Sequence, residues 1–300
     1  MSLFEETTKP YIGVTGFMRP EEVVELQAMF DPEGSRQLMV GVLASAKTLS
    51  GQRNRRPNRY PDPAALPEII DAVDTTRAFA LMHYAPYGPE LRSGYRDRGE
   101  WRADERQLFS DCQSFLEDTV RLWGPDSRHK FAGFQYNYPL PTRPSVYWLE
   151  SRRAQLCDGP TRSVLQFAPS TLQHTWRFAD YKGTLYDYLS YMYASNRQRL
   201  TSWPFSTLLY DVSGGLGITL DPTTVKDEIE PLMQLVRRET NLRIGVAGGL
   251  SGDTVPGLAP LVQYYPEICI DAEGALRDVN DHLDLDAAKR YIEAALKLFP

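Results

Sequence analysis

Cysteine is scarce in this chain. Cys112, Cys157 and Cys269 are odd in number, far apart and without metal-type spacing, which argues against a disulfide framework or a cysteine metal site and fits a reducing compartment. Excess positive charge is also missing. With 33 Lys and Arg against 39 Asp and Glu, the net charge is −6, whereas a nucleic-acid phosphate backbone is normally met by a clearly basic face. The one basic cluster, Arg53 to Arg59 (RNRRPNR), reads as a loop. No apolar run approaches the ~18 residues of a membrane span, and MSLFEETTKP shows no basic segment followed by an apolar one. The expectation is a cytoplasmic protein without nucleic-acid or membrane partners.

The 300 residues are 42% hydrophobic, enough for a sizeable core. Short apolar runs alternate with longer segments of helical period. Strands are predicted at 11–15, 38–43, 78–84, 131–136, 163–167, 205–211, 242–247 and 267–271. The first is followed by a helix from Pro20, a residue suited to a first turn, with Glu21 and Glu22 at its positive end and Val23, Val24, Leu26, Met29 and Phe30 on one apolar face. Further helices are predicted at 64–72, 105–123, 146–156, 183–196, 223–239, 257–262 and 285–298. Eight strands alternating with helices define a single-domain (β/α)8 TIM barrel over 1–300, with insertions after strands 2 and 3 at 45–62 and 85–104. The competing architecture is an open doubly wound sheet, and the eighth unit argues against it.

In such a barrel the C-terminal strand ends and their following loops face the active-site mouth. That rule selects Thr15, Lys47, His83, Gln135, Asn137, Gln166, Asp211, Ser213, Asp221, Asp271 and Glu273. They contain no metal-ligand cluster. Leu208 to Asp221 (LLYDVSGGLGITLD) is the most informative stretch, since an apolar run stops at Asp211 and opens into Gly214, Gly215 and Gly217. A carboxylate beside backbone rich in N–H groups suits chemistry next to an anion. Asp221, before Pro222, reads as a helix cap. A lone His83 reads as a hydrogen-bonded structural group, and the tyrosines of Tyr181 to Tyr193 as core or as a ring-binding wall.

These loops resemble those of phosphoribosylanthranilate isomerase, the barrel of tryptophan biosynthesis that makes a carboxyphenylamino-deoxyribulose phosphate by an Amadori rearrangement. The family's strand ending in aspartate and then GGTGKTFDW is matched by Asp211 and GGLGITLD, with Asp221 as the second aspartate. Its AGGLNPENV is matched by Ala247 to Val255 (AGGLSGDTV), its KICGITRPED by Gly13 to Glu22 (GVTGFMRPEE), and its QLHG by Gln135 to Tyr138 (QYNY). The likeness is strongest in the last third and faint over about 85–200.

The resemblance implies that Asp211 is the general acid for ring opening and that Gly248 and Gly249 cradle a phosphate. Arg59 would meet a substrate carboxylate, and Gly214, Gly215, Gln135, Glu273 and Gly274 complete the substrate and phosphate contacts. It implies a phosphorylated small-molecule substrate, no cofactor, no metal, and a homodimer as the assembly. Three positions depart from the family. Thr15 stands where the family has its basic cysteine, Ile218 replaces a lysine, and Glu273 brings a carboxylate toward the phosphate loop. A threonine hydroxyl has no basic form comparable to a thiolate. Two functions follow: an isomerase using Asp211 with Asp271, Glu273 or His83 as base, or a barrel without this catalysis that binds another small anion or serves as a scaffold.

Overall fold

The structure, a computed structural model, describes residues 9–45, 56–85, 127, 130–137, 162–167, 176–178, 181–183, 205–213, 220–236 and 242–299. The insertion segments 46–55 and 86–104, the helices predicted at 105–123 and 146–156, and Lys47, Gly214, Gly215 and Ile218 lie outside the described residues.

The strands are β1 (Tyr11–Thr15), β2 (Gln37–Ser45), β3 (Ala78–Ala85), β4 (Phe131–Tyr136), β5 (Val164–Phe167), β6 (Trp176–Phe178), β7 (Tyr181–Gly183), β8 (Thr207–Asp211), β9 (Arg243–Ala247) and β10 (Cys269–Ala272). Eight of them close a barrel in the order β1-β10-β9-β8-β5-β4-β3-β2. Every pair in that ring is parallel. The eight strands anticipated from the sequence are its staves, so the (β/α)8 architecture holds. β6 and β7 form a separate antiparallel hairpin with Trp176 opposite Gly183. Three-residue strands are too short to show a period of two, so the hairpin was not anticipated; the helix predicted at 183–196 and the tyrosines up to Tyr193 lie, beyond Gly183, outside the described residues.

Strand alternation sorts the side chains into two shells. Ile12 and Val14 of β1, Leu38, Val40 and Val42 of β2 and Ala78, Ala80 and Met82 of β3 join one core cluster with the helices. Tyr11, Met39, Phe79, Leu81, Val164, Leu209 and Cys269 form another, which fills the barrel itself. Two residues further along the same strands stand Gly13, Gly41, His83, Gln166, Asp211 and Asp271. The lumen is therefore apolar below and polar toward the C-terminal strand ends.

β4 reaches this layer by a bulge. Ala80 pairs with Phe131 and Leu81 with Gly133, so Ala132 is an extra residue, and Gly133 takes φ 148. The added residue resets the alternation. Ala132 faces the barrel filling, while Phe134 and Tyr136 face the helices, which leaves Gln135 on the lumen side. The opposite end is closed by Arg162, which donates to the Lys9 carbonyl at 3.1 Å and to Gln37 Oε1 at 2.7 Å and stacks 3.7 Å over the Phe79 ring.

The helices with continuous described backbone are α1 (Pro20–Gln27), α2 (Leu66–Asp71), α3 (Pro222–Val236), α4 (Ala259–Tyr264) and α5 (Leu285–Leu298). α1 starts at Pro20 as anticipated, and Glu22 Oε2 accepts from the backbone N–H groups of Met18 and Arg19. It stops at Gln27, and Val24 is 54% exposed rather than on the apolar face. The buried face centres on Val23, Leu26 and Gln27, and at about 100° per residue Val24 falls off it. The helix predicted at 257–262 is a short 3-10 turn, Val255–Leu258, followed by α4. α5 buries Ala288, Tyr291, Ile292 and Ala295 at helical spacing, and Asp284 caps it by accepting from Ala287 N. Among the described residues no helix is long and apolar enough to cross a membrane.

Candidate active site at the C-terminal strand ends

Thr15 closes β1, and its Oγ1 donates to Asp271 Oδ1 on β10 at 3.0 Å. The same oxygen lies 3.4 Å from His83 Nδ1 on β3. β2 lies between β1 and β3, so this contact needs a gap in its side chains. Gly41 supplies it: a Cβ there would stand 2.4 Å from Thr15 Oγ1 and 2.8 Å from His83 Nε2.

A second hydrogen-bonded row enters from the other side of the barrel. Asp211, the last residue of β8, accepts at Oδ1 from Ser213 N at 2.9 Å and Ser213 Oγ at 2.8 Å. Its Oδ2 accepts from Gln166 Nε2 at 2.7 Å. Gln166 Oε1 in turn accepts from Gln135 Nε2 at 3.2 Å, and that amide also donates to Asn137 Oδ1 at 3.2 Å. Asp211 and Asp271 are 4% and 6% exposed, so both carboxyls are held away from bulk water.

Their surroundings differ. Burial pushes the Asp271 carboxyl up to about 7, and the charges of Glu273 and Asp211 push in the same direction. Hydrogen bonding from Thr15 and Gln135 opposes the rise without cancelling it. Burial acts oppositely on His83 and brings its imidazole down to about 3. His83 is thus a neutral ring at physiological pH, carrying one proton on one of its two nitrogens. Nε2 of His83 and Oε1 of Gln135 are buried without a hydrogen-bond partner among the described residues.

Around the rim lies an ionic group. Arg59, in a 3-10 turn at Pro57–Arg59, donates from Nε to both oxygens of Asp281 and from one terminal nitrogen to Glu273 Oε1 at 2.8 Å. Arg277, 3% exposed at its side chain, donates to the carbonyl of Thr15 at 3.1 Å and lies 3.8 Å from Glu273. It packs so tightly on Gly16 that a Cβ there would overlap its guanidinium, and Gly16 takes φ 105. The carboxylate of Glu273 is therefore met by arginines.

Thr15, His83, Gln135, Gln166, Asp211 and Asp271 are brought together in one polar layer. Asp221 is not part of it. Its exposed carboxylate accepts from Thr223 N and Thr224 Oγ1 at the start of α3, the capping role read from the sequence. Gly248 and Gly249 turn the chain at the end of β9 with φ 129 and 57, and Thr254 Oγ1 donates to the Gly249 carbonyl. Gly274 is exposed at the start of a 3-10 turn after β10. Sequence reasoning missed Arg277 and Asp281. The RDVND run marks a charged turn, but the partner of Asp281 is 222 positions away. Among the described residues no group of His, Cys, Asp or Glu is arranged to hold a metal.

A closed, all-parallel barrel with helices between its strands and its polar groups at the C-terminal strand ends defines the (β/α)8 class. Among solved structures the chain is similar to TrpF from Jonesia denitrificans, with a TM-score of 0.51 and 15% identity over 96% of this chain and 98% of that one. It is also similar to phosphoribosyl anthranilate isomerase from Thermotoga maritima, with a TM-score of 0.50 and 14% identity over 97% of this chain and 100% of that one. No protein-family model and no curated protein sequence matches the chain. At these identities the likeness establishes the fold, a (β/α)8 barrel like that of phosphoribosylanthranilate isomerase.

Proposed function

We propose that the chain is an Amadori-type aldose–ketose isomerase acting on a phosphorylated sugar derivative, with Asp211 as general acid and Asp271 as the base that replaces the family's cysteine. The observation that carries this reading is the separation of the three candidate bases by their surroundings. Glu273 is engaged by Arg59 and Arg277. His83, brought down to about 3, is a weak proton acceptor. Asp271, pushed up to about 7, is matched to proton abstraction near neutrality, where a base works best with a pKa close to the ambient pH.

In this scheme Asp211 gives a proton to the ring oxygen and the C1–O bond breaks, leaving a protonated imine. The Asp271 carboxylate then takes the C2 proton, the C2–H electrons form the C1–C2 enamine double bond, and the enaminol ketonises to the product. Thr15, where the thiolate would stand, orients the carboxylate by donating to Oδ1. Support for a phosphate near β9 comes from Gly248 and Gly249, whose backbone can approach a dianion closely.

One observation favours a second reading. Arg59, the counterpart of the family's carboxylate-binding arginine by resemblance, already holds Asp281 and Glu273. A substrate lacking a carboxylate at that position suits such a mouth better than phosphoribosylanthranilate, and a noncatalytic barrel would share the feature.

The test is the loss of phosphoribosylanthranilate fluorescence on adding purified protein. Turnover by the wild type, with losses of about 10²-fold or more in Asp271→Asn and Asp211→Asn, is the expected result. Wild-type inactivity with a rate restored by Thr15→Cys would show that Asp271 does not serve as base on this substrate. No rate in any variant would leave another substrate or a binding role.

A further inference from the structure

We propose that His83 is a positioning residue for Asp271, acting through the Thr15 hydroxyl in a three-residue hydrogen-bond chain whose polarity reverses when Asp271 takes up a proton. The inference deepens the assignment of Asp271 as base.

It follows from counting protons. Thr15 has one hydroxyl proton and two neighbours, Asp271 Oδ1 at 3.0 Å and His83 Nδ1 at 3.4 Å. A charged Asp271 can only accept, so Thr15 spends its proton there. The His83 contact is then made by Nδ1–H donating to Oγ1, and Nε2 is bare. When Asp271 holds a proton on the oxygen facing Thr15, that proton is donated to Oγ1. The hydroxyl proton turns to Nδ1, and the ring carries its own proton on Nε2. The set gains one proton in total, and the ring's count stays at one.

Two features make Thr15 the determinant of the ring's tautomer. Nε2 has no hydrogen-bond partner among the described residues, so none of them pins it. Gly41 leaves no side chain that could separate the ring from the hydroxyl. The ionisable groups acting on Asp271 are Asp211 from β8 and Glu273 from the β10 turn. The phenols of Tyr11 on β1 and Tyr291 on α5 also sense it, and burial first, with the Asp271 charge adding, holds both well above their ordinary value. Both phenols stay neutral while Asp271 titrates. His83 is shifted by burial alone.

The experiment is NMR of ¹⁵N,¹³C-labelled protein across roughly pH 5 to 9, with the His83 ring assigned by its loss in His83→Gln. The expected result is an Nδ1–H tautomer at high pH giving way to Nε2–H, with a midpoint that coincides with titration of the Asp271 carboxyl carbon. Thr15→Ser should keep the switch, and Thr15→Val and Asp271→Asn should abolish it. A single tautomer throughout the range in the wild type, or a switch that survives Asp271→Asn, would overturn the proposal. The measurement needs no turnover, so an intact switch in an inactive protein would count against the isomerase assignment alone.

Discussion

Arg59 and Asp281 meet on the barrel rim although 222 positions separate them, with Arg59 Nε 2.6 and 2.7 Å from the two carboxylate oxygens. The contact ties the 3-10 turn at Pro57–Arg59, between β2 and α2, to the turn after β10. The neighbouring Asn58 amide, donating to the Asn280 carbonyl at 2.8 Å, reinforces it. Asp281 pays for this position with φ 69, which is unusual for a residue with a side chain.

The clamp predicts a measurable coupling. Both side chains are partly exposed, at 17% and 30%, so solvent screens much of the attraction. A double-mutant cycle of Arg59→Ala and Asp281→Ala should give about 1 kcal/mol, read from denaturant unfolding. Strictly additive effects would show that the pair contributes nothing beyond its separate members.

Catalysis through Asp271 has a signed pH dependence. The base must be ionised, so the limb of the kcat/KM profile that Asp271 sets should rise with pH through about 7. Thr15→Val removes a hydrogen bond that favours the charged form and should move that limb to higher pH. A limb that stays in place would detach Thr15 from the base.

Stability should move the other way. The Asp271 carboxyl is raised from 3.8 to about 7 in the folded chain, so the native state binds its proton more tightly than the unfolded state. Folding free energy from this group is therefore intact below about pH 4 and is lost as pH climbs toward 7, by on the order of 4 kcal/mol at most. Asp271→Asn, which cannot ionise, should gain stability relative to wild type as pH rises through that window. Parallel stability curves in urea melts at several pH values would contradict the shift.

Gly41→Ala tests how closely the lumen side chains are packed. The added methyl would stand 2.4 Å from Thr15 Oγ1 and must displace it or the His83 ring. A cost of about 1–3 kcal/mol is expected, as for other overpacked interiors. A thermal midpoint equal to wild type would mean that the Thr15 and His83 contact is looser than described.

Much of the site follows from local pattern once the strands are placed. Asp211 ends β8, and its hydrogen bonds to Ser213 join residues two positions apart, so a short segment carries them. The capping roles of Asp221 and of Glu22 at α1 are equally local. Gln135 required more. Its lumen position depends on the bulge at Ala132, and in FAGFQY only Gly133 hints at an irregularity. The ionic rim required more still, since Arg59 by itself looked available to a ligand.

The sequence by itself determined the eight barrel strands, the helix starts at Pro20 and Leu285 and, to within one residue, the start of α3, because alternation, proline placement and capping act over a few neighbouring residues. Only the tertiary structure decided that Thr15 bridges Asp271 and His83, which lie 256 and 68 positions from it, and that Arg59 is held by Asp281 and Glu273. Barrel closure sets β1 directly against β10. Burial in the closed lumen then pushes the Asp271 carboxyl up to about 7.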